Sequence, residues 1–191
     1  TSTPIHIKKN TMTLNCFLQD EKCGQIIAVT QSFERNKFQQ LINDNRIEFV
    51  DGGKERQDSV YAGLKRVKYE NVLIHDGARP YLKKQYIELL LDCLKVHKAC
   101  LLMVPCKDTI KEVKDGKIIQ TLKRENLMQA QTPQAFHHEL ILNAYEKGIQ
   151  ACFQATDDAQ MVEQFSEEDV YIIIGDYENK KITTREDLNN L

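Results

Sequence analysis

None of the six cysteines, at positions 16, 23, 93, 100, 106 and 152, forms a C-x-x-C pair or a zinc-ligand spacing with another. That absence leaves no redox or zinc centre legible in the sequence. Several of these thiols lie in apolar surroundings suited to small core residues. Excess charge is missing as well. A formal net charge of −2 offers no electrostatic case for nucleic acid or an anionic membrane as partner. Apolar runs such as Ile172-Ile173-Ile174 are far too short to span a bilayer. No secretory signal opens the sequence, and it holds no internal repeat, low-complexity tract or interdomain linker. With 191 residues, 41% of them hydrophobic, the chain can bury one good core. The expectation is a single domain over residues 1–191, soluble, reduced and cytoplasmic, without structural metal.

What is present is an alternation of short apolar runs with helical spacings. Gln25–Thr30, Ile47–Val50, Asn71–His75, Ala99–Pro105 and Val170–Ile174 predict short buried strands. Between them, Phe38/Leu41/Ile42, Val60/Leu64/Val67, Ile87/Leu90/Leu91/Leu94 and Leu140/Ile141/Ala144/Tyr145 recur at helical intervals. Asp58-Ser59 supplies an N-cap for the second of these helices, and Thr183 to Glu186 has capping-box spacing for a last one. The alternation predicts a doubly wound α/β sheet. One segment, Cys106 to Gln131, breaks the rhythm. Within it, Thr109–Val113 and Lys117–Thr121 flank Asp115-Gly116, a dipeptide suited to a tight primed turn. An isolated ribbon is only marginally stable in water, so it should pack against something. A second subunit is the natural candidate, and its own sheet is the alternative.

The most informative stretch is Val72-Leu73-Ile74-His75-Asp76-Gly77-Ala78-Arg79-Pro80. A short β-branched run, as expected of a central parallel strand, leads into an acid, two small residues, a cation and a proline. Asp76 then sits at the carboxyl end of the strand, where open α/β sheets place their ligand crevices. An acid and an arginine three residues apart there can hold a metal, a hydroxyl or a phosphate; a surface ion pair in a strand-to-helix turn is the simpler alternative. Asp51-Gly52-Gly53-Lys54-Glu55-Arg56-Gln57-Asp58-Ser59 also follows a strand and enters a helix, and its paired glycines allow close backbone approach to a ligand. Its glycine spacing fits neither the dinucleotide-binding fingerprint nor a Walker A loop. Thr156-Asp157-Asp158 opens a helix, where capping and the helix dipole explain the acids most simply. Asn179-Lys180-Lys181-Ile182-Thr183 follows the last strand; such lysines are usually solvated unless a phosphate lies at the sheet edge.

Taken in order, GGKERQDSV, HDGARP, VPCKDTIK, LKRENLMQAQTPQAF, TDDAQMVE and ENKKITTREDL resemble the 2-C-methyl-D-erythritol 4-phosphate cytidylyltransferase family, from about Pro4 to Leu191. The resemblance implies a Rossmann-like nucleotidyltransferase sheet with a protruding β-arm hairpin, about residues 108–130, and a homodimer built by exchange of arms. It implies attack by a phosphate oxygen of methylerythritol phosphate on the α-phosphorus of CTP, with release of pyrophosphate, in non-mevalonate isoprenoid biosynthesis. Magnesium is expected with CTP because the triphosphate needs charge neutralisation.

The same resemblance implies roles for single residues. Gly53, Lys54 and Ser59 would border the cytosine pocket, although Lys54 stands where other members carry an acid. Gly77 would lie beside the ribose. Asp76 and Arg79 would hold the methylerythritol phosphate, with Thr109 closing over it. Arg124, from the returning strand of the arm, and Thr132 would enter the partner subunit's site. Arg124 and Lys181 would together orient the attacking phosphate. Lys180 stands where the family usually has an apolar residue, which leaves a lysine register one residue different as an alternative.

Family members open with a strand and a Gly-x-Gly-x-Arg loop followed by Pro-Lys-Gln; Thr1 of this sequence corresponds to a point after that lysine. Without those triphosphate contacts, catalysis by these 191 residues alone is expected to be weak, since one preorganised donor is worth about 2.7–4 kcal/mol. Two alternatives stay open. Ribitol 5-phosphate cytidylyltransferases share the Asp-Thr-Ile and Thr-Pro-Gln motifs, and a catalytically silent dimeric nucleotide-binding homologue would retain the cradle.

Overall fold

A computed structural model describes residues 5–183 and 187, with side chains from residue 11 onward. Helix α1 (Ile5–Leu18) comes first and has no counterpart in the sequence reading. The runs of Ile26–Thr30 (β1) and Ile47–Asp51 (β2) then pair in parallel, Ile26 opposite Ile47 and Thr30 opposite Asp51. They are linked by α2 (Ser32–Leu41), which buries Phe38. After β2 the chain enters α3 (Arg56–Leu64), β3 (Asn71–Ile74), α4 (Lys84–Cys93) and β4 (Ala99–Pro105). A ribbon of β5 (Lys111–Lys114) and β6 (Lys117–Thr121) follows, then β7 (Met128–His137), α5 (His138–Gln150), α6 (Asp158–Phe165) and β8 (Tyr171–Ile174).

The larger sheet has the order β3-β7-β4-β8, in which β7 runs antiparallel to both β3 and β4 while β4 and β8 are parallel. It is a mixed sheet, within the α/β class expected, in which β7 is the antiparallel member. The proline of β7 conceals it from a sequence reading, because proline cannot donate to a ladder. The register against β4 shifts there: Leu101 faces Gln134 but Met103 faces Ala130, so residues 131–133 bulge past the partner strand. Thr132-Pro133 is a cis peptide in this bulge.

Successive residues of the central strands face opposite sides, as strand geometry requires. Ala99 and Phe136 pack with Leu64, Ile141, Tyr145, Met161 and Val162 beneath α3, α5 and α6. Cys100, Leu102 and Ala135 pack with Leu82, Ile87, Leu90 and Leu94 beside α4. Of the cysteines, Cys100 is the one fully in the core, and all six are free thiols.

Strands β1 and β3 do not pair. Their edges face each other across a cavity of about 880 Å³ lined by Ile26–Thr30 on one side and Asn71–His75 on the other. Strand β3 was expected between parallel neighbours; among the described residues its sheet partner is β7 alone. Helix α1 closes against the turn beyond β3: the buried Thr13 hydroxyl donates to Gly77 O at 2.8 Å, and the Phe17 ring meets His75 edge-on at 5.4 Å.

The Asp115-Gly116 turn forms as its residue types require. Both residues take positive φ, 50° and 74°, the left-handed region a two-residue primed turn needs. The ribbon forms a sheet of its own, and every residue in its two strands is exposed, Ile118 at 63% among them. It does not lie on the larger sheet. The helix expected from Thr183 onward lies outside the described residues.

Candidate active site

Four segments distant in sequence meet where β3 ends. The Asp76 carboxylate is the hub: Lys181 Nζ lies 3.2 Å from Oδ2, Arg56 Nε 3.4 Å from Oδ1, and Arg79 Nε 3.8 Å from Oδ2. Burial by itself would raise the Asp76 pKa, but Arg56, Lys181 and Arg79 outweigh it and hold the carboxyl below the usual range. Arg79 is largely buried, which lowers its pKa against the pull of Asp76, and its guanidinium donates to Asn179 O at 2.6 Å. The loop after β8 supplies both contacts. Buried Asn179 donates to Thr132 O at 2.9 Å, and buried Ile182 donates its N–H to Ala78 O at 2.8 Å. Between these two anchors both lysines are exposed, and it is Lys181 that reaches Asp76. Lys181 is thus the lysine at this cluster.

Arg56 was missed. It lies in a charge-rich run at the start of α3, and nothing local distinguishes it from a solvated cation. Its significance comes from a partner 102 residues away: Nη1 and Nη2 donate to the two oxygens of Asp158 at 3.0 and 2.7 Å. Asp158 has a side chain 0% exposed and also accepts from the Tyr145 hydroxyl. Burial, with Asp158 adding to it, pushes the Tyr145 pKa well above its ordinary value. The acid pair thus divides its labour. Asp157 caps α6, accepting from Gln160 N at 3.0 Å, as the simpler reading held, and Asp158 instead anchors Arg56.

The glycine-rich turn before α3 is shaped by close packing. A Cβ on Gly53 would fall 2.2 Å from Asp58 Cβ, so no larger residue fits, and Gly53 N–H donates to Ser59 Oγ at 3.0 Å. Lys54 is exposed. The cap expected from Asp58-Ser59 is displaced: α3 begins at Arg56, and Asp58 reaches back to accept from Glu55 N at 3.2 Å. Gly77 borders the cavity and offers its carbonyl to Thr13.

Three further expected residues have the following places within the single chain. Thr132, expected at a partner's site, is only 5% exposed and bonds within its own chain, its hydroxyl accepting from Asp76 N at 3.0 Å. The bulge in β7 turns it toward β3. Arg124, expected on the returning ribbon strand, lies in a 3-10 turn (Arg124–Asn126) and donates to Lys107 O at 2.9 Å rather than to the Asp76 cluster. Thr109 is exposed in the connection between β4 and β5. Among the described residues no group of three or more His, Cys, Asp or Glu side chains could hold a metal ion. No described helix is long and apolar enough to cross a membrane.

A mixed α/β sheet with acid and cations gathered at a strand end is the arrangement of a Rossmann-like nucleotidyltransferase. Solved structures agree. A 4-diphosphocytidyl-2C-methyl-D-erythritol synthase from Anaerococcus prevotii superposes with a TM-score of 0.90 at 33% identity, covering 96% of this chain and 86% of that one. A 2-C-methyl-D-erythritol 4-phosphate cytidylyltransferase from Francisella tularensis gives 0.86 at 27% identity, covering 98% and 91%. The family model for 2-C-methyl-D-erythritol 4-phosphate cytidylyltransferase (IspD) matches residues 7–190. Relatives of that name from Bacillus pumilus and Geobacillus kaustophilus are 44% and 45% identical over 181 residues, 92% of this chain and 79% of each relative. The chain belongs to the 2-C-methyl-D-erythritol 4-phosphate cytidylyltransferase family.

Proposed function

We propose that the chain is a single cytidylyltransferase domain over residues 1–191 that joins CTP to 2-C-methyl-D-erythritol 4-phosphate. A phosphate oxygen of the polyol ester attacks the α-phosphorus of CTP. One P–O bond forms as the bond to the β-phosphate breaks, and pyrophosphate leaves. Such chemistry depends on positioning and charge stabilisation more than on covalent help from the protein. The observation that carries this reading is the convergence of Asp76, Arg79 and Lys181 at the end of β3 in a chain of this family.

Asp76 accepts from hydroxyls of the polyol, while Arg79 and Lys181 offset the repulsion between the attacking phosphate and the triphosphate. Gly53, Lys54 and Ser59 border the cytosine, Gly77 lies by the ribose, and Thr109 closes over the polyol. Arg124 acts at a neighbouring subunit of a homodimer, carried there by the exposed ribbon. Exposed Val113 and Ile118, directly paired across the ribbon, give it an apolar face to bury. Thr132 supports Asp76 from within its own subunit. The described residues do not form a cage for magnesium, and Asp76 is engaged by three cations. In this proposal magnesium belongs to the CTP complex and neutralises its triphosphate. The enzyme works in the cytoplasm, with no nucleic-acid or membrane partner.

The test is release of pyrophosphate from CTP by the full gene product with each of two polyol phosphates. Turnover should favour methylerythritol phosphate. Preference for ribitol 5-phosphate would overturn the substrate assignment, and CTP binding without pyrophosphate release would overturn the catalytic one.

A further inference from the structure

The loop that carries Asp76 and Arg79 is tied by a chain of hydrogen bonds through His75, whose imidazole takes no part in the mechanism above. Its Nε2 lies 3.0 Å from Arg79 O and its Nδ1 3.0 Å from Thr132 Oγ1, which in turn lies 3.0 Å from Asp76 N. The groups at its ends fix the two outer bonds, and a neutral ring fixes the one between them. A carbonyl oxygen only accepts, so Nε2 carries the proton. A backbone N–H only donates, so Thr132 Oγ1 accepts from Asp76; in a neutral ring protonated at Nε2, Nδ1 is bare and accepts the hydroxyl proton.

We propose that His75 is a positioning residue: as the neutral Nε2–H tautomer it closes residues 75–79 into a ring, holding Asp76 and Arg79 in register for the polyol phosphate. The relay runs Asp76 N–H to Thr132 Oγ1, Thr132 O–H to His75 Nδ1, and His75 Nε2–H to Arg79 O. It therefore clamps the backbone of both substrate-facing residues from one ring. Phe17 of α1 holds that ring edge-on from the other side. Burial pushes the His75 pKa down to about 4, in keeping with a neutral ring. An imidazolium would break the relay, because Nδ1–H and Asp76 N–H would both present protons to a hydroxyl that then lacks its acceptor. The roles given to Asp76 and Arg79 rest on the functional reading above; the relay itself does not.

Two measurements separate these. A long-range ¹H–¹⁵N correlation spectrum of the ¹⁵N-labelled chain at neutral pH should show His75 protonated at Nε2 alone, and Thr132→Val should shift both its Nδ1 and the Asp76 amide. An Nδ1–H tautomer, an imidazolium, or an Asp76 amide indifferent to Thr132→Val overturns the proposal, whether or not the protein turns over substrate. In kinetics, His75→Phe and Thr132→Val should each raise KM for methylerythritol phosphate by about tenfold, leave KM for CTP nearly unchanged, and combine without further loss. Equal effects on both substrates, or losses that multiply, would sink the positioning role. Lack of transfer by the unmutated protein would count against the functional reading instead.

Discussion

Replacing Arg56 with methionine isolates the longest-range ionic contact at the site. Methionine keeps most of the aliphatic volume but removes the guanidinium, leaving the Asp158 carboxylate with the Tyr145 hydroxyl as its remaining side-chain donor. Breaking a fully buried ion pair by removing one partner costs roughly 3–5 kcal/mol. Here Asp158 has a side chain 0% exposed, but that of Arg56 is 40% exposed, so solvent already screens part of the interaction. An appropriate expectation is about 2 kcal/mol, below the buried-pair range for that reason. For a chain of this length such a loss lowers Tm by about 4–8 °C. Urea titration followed by circular dichroism measures it directly, and an unchanged m-value would confirm that the native state rather than the unfolded ensemble was altered. Adding Asp158→Asn should recover much of the loss, since the neutral amide no longer needs a cation. A single variant within about 0.5 kcal/mol of the parent would place it among ordinary surface substitutions. So would a double variant less stable than Arg56→Met; either result would show that the pair does not anchor α3 to α6.

Other consequences are simpler to state. The folded-state pKa of Asp76 lies below its unfolded value, so its stabilisation is complete above the unfolded pKa of about 4 and is lost as pH falls through the folded one. The stability gap between the parent and Asp76→Asn should therefore be present at pH 7 and shrink on acidification below pH 4 in denaturant titrations; a gap constant with pH would contradict this. Lys181→Ala should reduce turnover by about 10²–10³-fold, the scale of losing one preorganised charge-stabilising group, while Lys180→Ala should matter little. Equal losses in steady-state assays would mean that the register is not the one assigned. Arg124→Ala and Asp76→Ala, each inactive alone, should regain activity when mixed as heterodimers if sites are shared between subunits; silent, well-formed heterodimers would rule out exchange. Asp157→Ala removes the α6 cap and should cost about 1 kcal/mol in thermal or chemical unfolding.

Local chemistry made much of this molecule readable from its residues. The β-branched residues of β1, β2 and β3 announce strands because such side chains suit a pleated, packed surface, and β4 is announced by a short continuous apolar run. Asp115-Gly116 announces the ribbon turn because both positions need positive φ. The ordered motifs placed Asp76, Arg79 and Lys181 in one family pattern. Other features depend on pairings that no short window contains. Strand β7 carries a proline and alternates weakly, so it becomes a central strand through bonds to β3 and β4 on either side. Its bulge then delivers Thr132 to Asp76 and His75 within the same chain. Arg56 and Asp158, 102 positions apart, are two unremarked charges until the chain between them folds back and excludes water from the carboxylate. Helical and turn preferences act over a few residues and survive in the linear chain, whereas desolvation and charge pairing arise where distant segments exclude solvent together.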